Sequence, residues 1–347
     1  MDRLIDDKTA SSLKERFSKE LNRIVNVRVY TDKKTEQSQF TVQFLEELSL
    51  LTDKFKLSIL SYEEGLKKGF GTDPTVSFGE ESGYSTVFNG TPAGHEANTV
   101  LETLVLISAG KSGLSKETED ALKKLDKKVR IQTFVTPTCP YCPMAAIMAN
   151  SFSLANPEFI SSEIIEAQEN PELSTEYGIT AVPLTVINGD KDSVLTGVQP
   201  EKALLEAILK HGFSGFNSYL KEKEAEKEKL THLDDNPDRV LMLTDSNFKE
   251  AVRKYPRLVV DCWAEWCAPC RMVSPVVEEL SNEYAGRVVF AKLNVDENPA
   301  ISQEFAITSI PTVLLFKDGM LLNSIVGAKP KAFYENEITQ QFRMLIV

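Results

Sequence analysis

Four of the five cysteines stand in two pairs, Cys139-Pro140-Tyr141-Cys142 and Cys267-Ala268-Pro269-Cys270. Two cysteines three residues apart either ligate a metal or exchange disulfides. A zinc ribbon sets its pairs roughly 15–20 residues apart, whereas Cys267 follows Cys142 by 125 positions, and His95, His211 and His232 are scattered without ligand spacing. Redox chemistry is the expectation. Each pair holds a proline and follows an apolar, strand-like run, which puts its first cysteine at a helix N-terminus. Unpaired N–H groups and the helix dipole stabilise a thiolate there, lowering a cysteine's pKa from about 8.5 toward 7 or below. The second cysteine, one turn deeper, attacks the mixed disulfide and releases the reduced substrate. Cys139 and Cys267 are therefore the expected nucleophiles, and Cys142 and Cys270 the resolving thiols.

The elements that position these cysteines occur more than once. Cys267, Cys270 and Pro311 each lie 128 positions after Cys139, Cys142 and Pro183, and ENPELSTEYGITAVP, from Glu169, matches ENPAISQEFAITSIP at eight of fifteen positions. Each copy reads as a buried strand (Val129 to Val135; Leu258 to Ala264), a helix opened by CxxC, a strand, a helix, a hairpin and a last helix. The hairpins LTVIN with DSVLTG and TVLLFK with LLNSIVG turn at NGDK and DGM. A weaker copy without cysteine precedes them: VNVRVYT, QFTVQFLEELSLLTDKF, FKLSILSY, TDPTVSF with Pro74, then NGTPAGHEANTVLETL. The order strand, helix, strand, helix, strand, strand, helix resembles the thioredoxin fold. The expected class is α/β, three tandem thioredoxin-like domains, each a central mixed sheet flanked by helices. The boundaries expected are 1–115, without CxxC; 116–212, with CPYC; a charged helical linker at 213–236, where YLKEKEAEKEKLTHLDDNPD alternates charge at helical spacing; and 237–347, with CAPC.

Composition narrows the function. In 347 residues, 51 acidic against 39 basic side chains give a net charge of −12, which argues against nucleic acid or an anionic membrane as partner. The N-terminal MDRLIDDKTASSLKERF breaks any apolar signal core with charges, and no run of 18 apolar residues occurs, so a soluble, cytoplasmic protein is expected. No glycine-rich nucleotide fingerprint is present. The redox-active cysteine pairs would be the whole electron-carrying apparatus, with no bound cofactor.

Residues 237–347, with VVDCWAEWCAPCRMVSPVVEEL, AKLNVDENP, IPTVLLFKDG and Gly327, resemble thioredoxin. The resemblance implies that Trp263 and Trp266 pack beside the site, Trp266 in contact with substrate, and that Pro275 bends the active-site helix. It also implies that Asp261 lies buried under the cysteines, where a raised pKa suits it to take the Cys270 proton, with Lys292 tuning it. Ala268-Pro269 replaces the usual Gly-Pro, and Cys262 fills a usually aromatic position as a small hydrophobe.

Residues 1–212, with FVTPTCPYCPMAAIMAN, GTPAGHE and TAVP, resemble the prokaryotic protein disulfide oxidoreductases, glutaredoxin-like proteins of two fused thioredoxin folds. Both units of that family commonly carry CxxC. Here TDKKTEQSQF puts Glu36 and Gln39 at the expected cysteine positions, leaving the first unit a structural or substrate-binding role. The second unit has Thr133 six residues before its nucleophile, where the third has Asp261; Glu166, on the neighbouring strand and matching a glutamate of the family, is the candidate for proton handling. Val182-Pro183 and Ile310-Pro311 fall at the family's cis-proline position, where the backbone before the proline pairs with an extended substrate. Pro74 preserves the position in the first unit.

The expected function is a protein thiol–disulfide oxidoreductase working mainly as a reductase on disulfide-containing client proteins, recharged by a thioredoxin-reductase-like flavoprotein or another donor. The same sites would serve an oxidase or isomerase, since the reductant sets the direction, and a client-binding scaffold is the alternative of a different class. Thioredoxin-type pairs lie near −270 mV and glutaredoxin-type pairs, which typically carry Pro-Tyr, near −200 to −230 mV. The third unit is thus the expected stronger reductant by roughly 40–70 mV, about 2–3 kcal/mol for two electrons. That gap would bias transfer from Cys267/Cys270 to Cys139/Cys142 in an internal relay, to which two independent sites are an equal alternative.

Overall fold

The computed structural model describes residues 3–343 and divides into two compact units, one reaching Phe216 and one beginning at Asn217. The extreme ends of the expected first and last domains, 1–2 and 344–347, lie outside the described residues.

Eight strands build the first unit: β1 (Val25–Tyr30), β2 (Phe55–Leu60), β3 (Thr75–Phe78), β4 (Thr86–Asn89), β5 (Val129–Val135), β6 (Ile160–Glu166), β7 (Leu184–Ile187) and β8 (Val194–Thr196). They form one sheet in the order β2-β1-β3-β4-β6-β5-β7-β8. The same arrangement appears twice: β1 pairs parallel with β2 and antiparallel with β3, which meets β4; β5 pairs parallel with β6 and antiparallel with β7, which meets β8. Parallel pairing of β4 with β6, Thr86 opposite Ser162, joins the halves. As the outer strand of its hairpin, β4 would otherwise be a bare sheet edge with unpaired N–H and C=O groups.

Above this junction the helix Glu96–Ala109 of the first half packs on the helix Cys142–Ala155 of the second. Their contact is partly polar. Ser162 donates to Asn150 Oδ1 (2.7 Å), Asn150 Nδ2 donates to Thr103 Oγ1 (2.8 Å), and Thr103 donates to the Thr99 carbonyl (2.7 Å). Buried polar groups must find partners, so this chain of bonds fixes how the first half's helix sits against the CxxC helix.

The second unit holds β9 (Leu241–Leu243), β10 (Arg257–Trp263), β11 (Val289–Asn294), β12 (Thr312–Lys317) and β13 (Met320–Val326), ordered β13-β12-β10-β11-β9. Side chains alternate along β10. Leu258, Val260 and Cys262 join Phe248, Ile301 and Phe316 on one face, while Val259 meets Val273, Val277 and Leu280 of the helix Cys270–Glu283 on the other. Cys262 is a packing residue here, and burial pushes its thiol pKa up. The expected charged helix runs Phe216–Thr231 and buries none of its side chains. The α/β class and the tandem thioredoxin-like copies are as expected from sequence.

Candidate active sites

In the second unit β10 leads into a loop that delivers Cys267 just before the helix Cys270–Glu283, with Pro275 inside that helix. Cys267 and Cys270 form a disulfide with a Cα–Cα distance of 5.3 Å, and the Cys270 N–H donates to Cys267 Sγ at 3.1 Å. Trp263, Val295 and Ile310 pack around the pair. The Ile310–Pro311 peptide is cis. Trp266 is 69% exposed and held in place by donation from Nε1 to Asp296 Oδ2 (2.8 Å).

Asp261 lies on β10 two residues after Val259, so it faces the same CxxC helix. It is 0% exposed, and neither carboxylate oxygen has a hydrogen-bond partner among the described residues. Burial raises its pKa from 3.8 to about 6, and the positive charge of Lys292, its cross-strand neighbour on β11, opposes the rise. Lys292 also donates to Glu278 (2.9 Å).

The corresponding site of the first unit has the same local construction. Cys139 precedes the helix Cys142–Ala155, and the Cys142 N–H donates to Cys139 Sγ at 3.2 Å. Both are free thiols, Cys142 fully buried and Cys139 partly open. The Cys139 thiol points to the Val182 carbonyl at 3.8 Å, and Val182–Pro183 is cis. Tyr141 and Met144 are exposed beside it. Below, the carboxylate is missing from the leading strand: Thr133 on β5 bonds instead to Thr185 (3.2 Å).

Two carboxylates approach from elsewhere. Glu166, at the end of β6, is 1% exposed; its Oε2 accepts from the Glu169 N–H (2.6 Å), its Oε1 has no partner, and burial raises its pKa. Sequence reasoning missed the second, Glu96. This residue opens the helix Glu96–Ala109 of the cysteine-free half and is 0% exposed. Its Oε2 accepts from the Thr99 hydroxyl (2.7 Å), and its Oε1 is unpartnered. Burial lifts its pKa from 4.5 to about 7, with the Glu166 charge adding. Burial likewise pushes the Cys142 thiol up, and the Cys139 sulfur and the Glu96 charge push in the same direction.

The loop before Glu96, GTPAGHE, seats this acid. The His95 N–H donates to the Pro137 carbonyl in the CxxC loop (2.9 Å). Gly94, at φ +56°, approaches so closely that a Cβ there would meet Pro137 O at 2.4 Å. Thr91 donates to Glu169 through N–H (3.2 Å) and hydroxyl (3.1 Å). The motif was visible in the sequence, but an acidic residue in a first helical turn is ordinarily a solvated complement to the dipole, and nothing in one strand of text points it at a cysteine 46 positions on.

In the first half itself the expected register is corrected by one residue. Glu36 is exposed and Gln39 donates to the Lys33 carbonyl (3.2 Å). Thr35 and Ser38 hold the cysteine positions: the Ser38 N–H donates to Thr35 Oγ1 (3.1 Å), as the resolving cysteine's N–H does to the nucleophile's sulfur, and Ser38 is buried. The reason is capping. Thr35 and Ser38 make a reciprocal capping box that starts the helix Glu36–Ser49 one residue earlier than a text alignment suggests. Asp73–Pro74 is cis, and Asp73 accepts from Thr31 (2.6 Å).

Among the described residues no group of three or more His, Cys, Asp or Glu side chains could hold a metal, and no helix is long and apolar enough to cross a membrane. Residues 239–340 match the thioredoxin family model and residues 128–210 a model described as a thioredoxin domain. The thioredoxin of Alicyclobacillus acidocaldarius is 46% identical over 98 residues, 28% of this chain and 93% of the relative. Thioredoxin 1 of Synechococcus elongatus is 44% identical over 97 residues, 28% of this chain and 91% of the relative. Two solved structures are similar over a larger share. A protein disulfide oxidoreductase from Aeropyrum pernix gives a TM-score of 0.53 at 29% identity, over 59% of this chain and 92% of its own. A domain of alkylhydroperoxide reductase AhpF from Enterococcus faecalis gives 0.52 at 25% identity, over 58% and 98%.

Proposed function

The chain belongs to the thioredoxin family and is a thiol–disulfide oxidoreductase, and from that premise we propose that it reduces client-protein disulfides at two CxxC sites, each served by a buried carboxylate of different origin. The observation that carries this reading is Glu96, a fully buried acid whose charge acts on Cys142 although it belongs to the half without cysteines.

At the first site Cys139 attacks a client disulfide. The client's sulfur–sulfur bond breaks, a mixed disulfide forms on Cys139, and the departing client sulfur takes a proton. Val182, whose carbonyl the resting thiol faces, offers its backbone to an extended client beside cis-Pro183. Cys142 then loses its proton to Glu96 and attacks the Cys139 sulfur. The second client sulfur leaves as a thiol, and the chain keeps the two oxidising equivalents as a Cys139–Cys142 disulfide. Cys267, Cys270 and Asp261 perform the same steps at the other site, with Ile310, Pro311 and exposed Trp266 receiving the client. A thioredoxin-reductase-like flavoprotein or an equivalent donor in the cytoplasm returns the dithiols.

Functionally we divide the chain into an acid-supplying unit (1–115), its CPYC partner (116–212), a helical linker (213–236) and a self-contained CAPC unit (237–347). The two dipeptides support electron flow from Cys267/Cys270 to Cys139/Cys142. The reading is tested by Cys142→Ser and Cys270→Ser, each of which should accumulate stable mixed disulfides with cellular proteins on Cys139 or Cys267. Mass spectrometry that finds no captured protein, or finds the second cysteine to be the attacking one, contradicts it.

A further inference from the structure

The two CxxC copies close their hairpins in the same way and then differ at one buried position. Gly197 and Gly327, both at positive φ, donate their N–H groups at 2.8 Å to the carbonyls of cis-Pro183 and cis-Pro311. Three residues on, Pro200 and Pro330 cap the last helices, Glu201–Gly212 and Lys331–Phe342. Four residues further comes Leu204 in one copy and Tyr334 in the other, 3% and 2% exposed. Since leucine fills this place in one copy, packing there needs no hydroxyl. The Tyr334 hydroxyl instead reaches from the core to the loop: it accepts the Lys329 N–H at 3.2 Å and donates to the Gly327 carbonyl at 3.4 Å. In the CPYC copy the Gly197 carbonyl accepts from the Gln199 side chain (3.3 Å), which also donates to the Thr196 carbonyl (2.7 Å). Gln199 belongs to the loop itself, whereas Tyr334 belongs to a helix packed in the core. Asp261 is the charged group facing Tyr334; burial first, and then that charge, push the tyrosine's pKa up, but neither Asp261 oxygen accepts a hydrogen bond from it. Gly327 extends the tether. Its carbonyl is held by Tyr334 and its N–H holds Pro311, so hydrogen bonds run from a buried ring to the peptide beside Cys267 and Cys270, where Ile310 packs.

We propose that Tyr334 is a positioning residue that sets how the CAPC site receives extended protein clients: it pins residues 327–329 and, through them, the backbone edge at Ile310–Pro311. An extended client that pairs with this edge gains from having it held in one geometry. A small disulfide needs only the cysteine sulfurs and is indifferent to the edge. The tether therefore favours protein clients at Cys267, and the CPYC site, with Leu204 and Gln199 in these places, lacks it. The proposal rests on the reading of Ile310 and Pro311 as the client-receiving edge.

The test uses the full-length chain with Cys139→Ser and Cys142→Ser, dithiothreitol as reductant, and two substrates, insulin and a small aromatic disulfide, with the parent set against Tyr334→Phe. The phenylalanine ring keeps the packing and removes the hydroxyl. The KM for insulin should rise about 3–10-fold with kcat unchanged, the loss expected for one such hydrogen bond that contributes to binding alone. The small disulfide should be reduced at the parent's rate. An unchanged KM for insulin, or an equal loss on both substrates, overturns the proposal. So does a changed pH profile with the parent's KM, which would assign the hydroxyl to Asp261. Amide exchange examines the tether without turnover: the Lys329 N–H should be protected in the parent and exchange on the order of 10-fold faster in Tyr334→Phe. A parent Lys329 that exchanges as a free loop refutes the tether with no variant needed. A parent that never reduces insulin through Cys267 refutes the client reading, and the selectivity with it, even where Lys329 is protected.

Discussion

The carboxylate under Cys267 and Cys270 comes from the strand that leads into them, while the one under Cys139 and Cys142 arrives from a helix of the neighbouring, cysteine-free half. At the first of these sites Asp261 is buried on its strand, and Lys292 and then Ser274 offset the effect of that burial on its charge. At the second, Thr133 is bonded to Thr185, and the proposed acid is Glu96, next to the His95 N–H that bonds Pro137. The match to a thioredoxin relative covers 93% of that relative, and Asp261 lies within the last unit itself; the CPYC copy is joined to a second copy by the β4–β6 pairing. In the proposed reading the first half, though without cysteines, still supplies an acid.

The largest effect expected from breaking this contrast is at Asp261. Its folded pKa is raised from 3.8 to about 6, so the folded state holds this proton more tightly than the unfolded chain. That contribution is fully present below about pH 4 and lost as the pH rises through 6, leaving a burial penalty of about 2–3 kcal/mol above it. Asp261→Asn should therefore stabilise the last unit by about that amount at pH 8 and by almost nothing at pH 4, while slowing resolution by Cys270 on the order of 10²-fold. Trp263 and Trp266 are the chain's two tryptophans, so their fluorescence follows this unit's unfolding alone. A variant less stable than its parent at pH 8 would show that the carboxylate is compensated in the fold.

A smaller change should follow from Gly94→Ala, which forces a Cβ against the Pro137 backbone oxygen at 2.4 Å. Because the obstruction is backbone, the loop must move, at about 1–3 kcal/mol. Reduction through Cys139 should fall and reduction through Cys267 should stay unchanged. Equal loss at both sites would mean that the loop matters only for global stability.

The smallest effect sharpens the corrected register. Thr35→Cys with Ser38→Cys should form a disulfide under mild oxidation, read by thiol counting, and Glu36→Cys with Gln39→Cys should not. The reverse result would restore the register expected from the text.

The repeats, the strand order and the four redox cysteines were legible because they are local or periodic: CxxC after an apolar run, and a spacing of 128 carried through Pro183 and Pro311. Asp261 was legible through the resemblance of its strand and the following CxxC segment to thioredoxin. Glu96 was not, because its burial depends on a helix from another copy docking through Asn150 and Thr103, which no periodicity encodes. Thr35 and Ser38 were missed for a smaller reason, a capping box that shifts the helix start by one residue. The shared sheet followed from which edge β4 selects, a tertiary choice.

The account turns on the source of the proton acceptor for Cys142, and one measurement addresses it directly. In a chain with Cys267→Ser and Cys270→Ser, a chromogenic thiol is loaded on Cys139 and its release is followed against pH for the parent and for Glu96→Gln. Glu96, raised to about 7, should give the parent an inflection near pH 7, where its deprotonated form becomes available. The glutamine variant should lose that inflection and release the thiol slower on the order of 10²-fold at pH 7.5. A Glu96→Gln chain with the parent's rate and pH profile would contradict the claim that the cysteine-free half completes the active site.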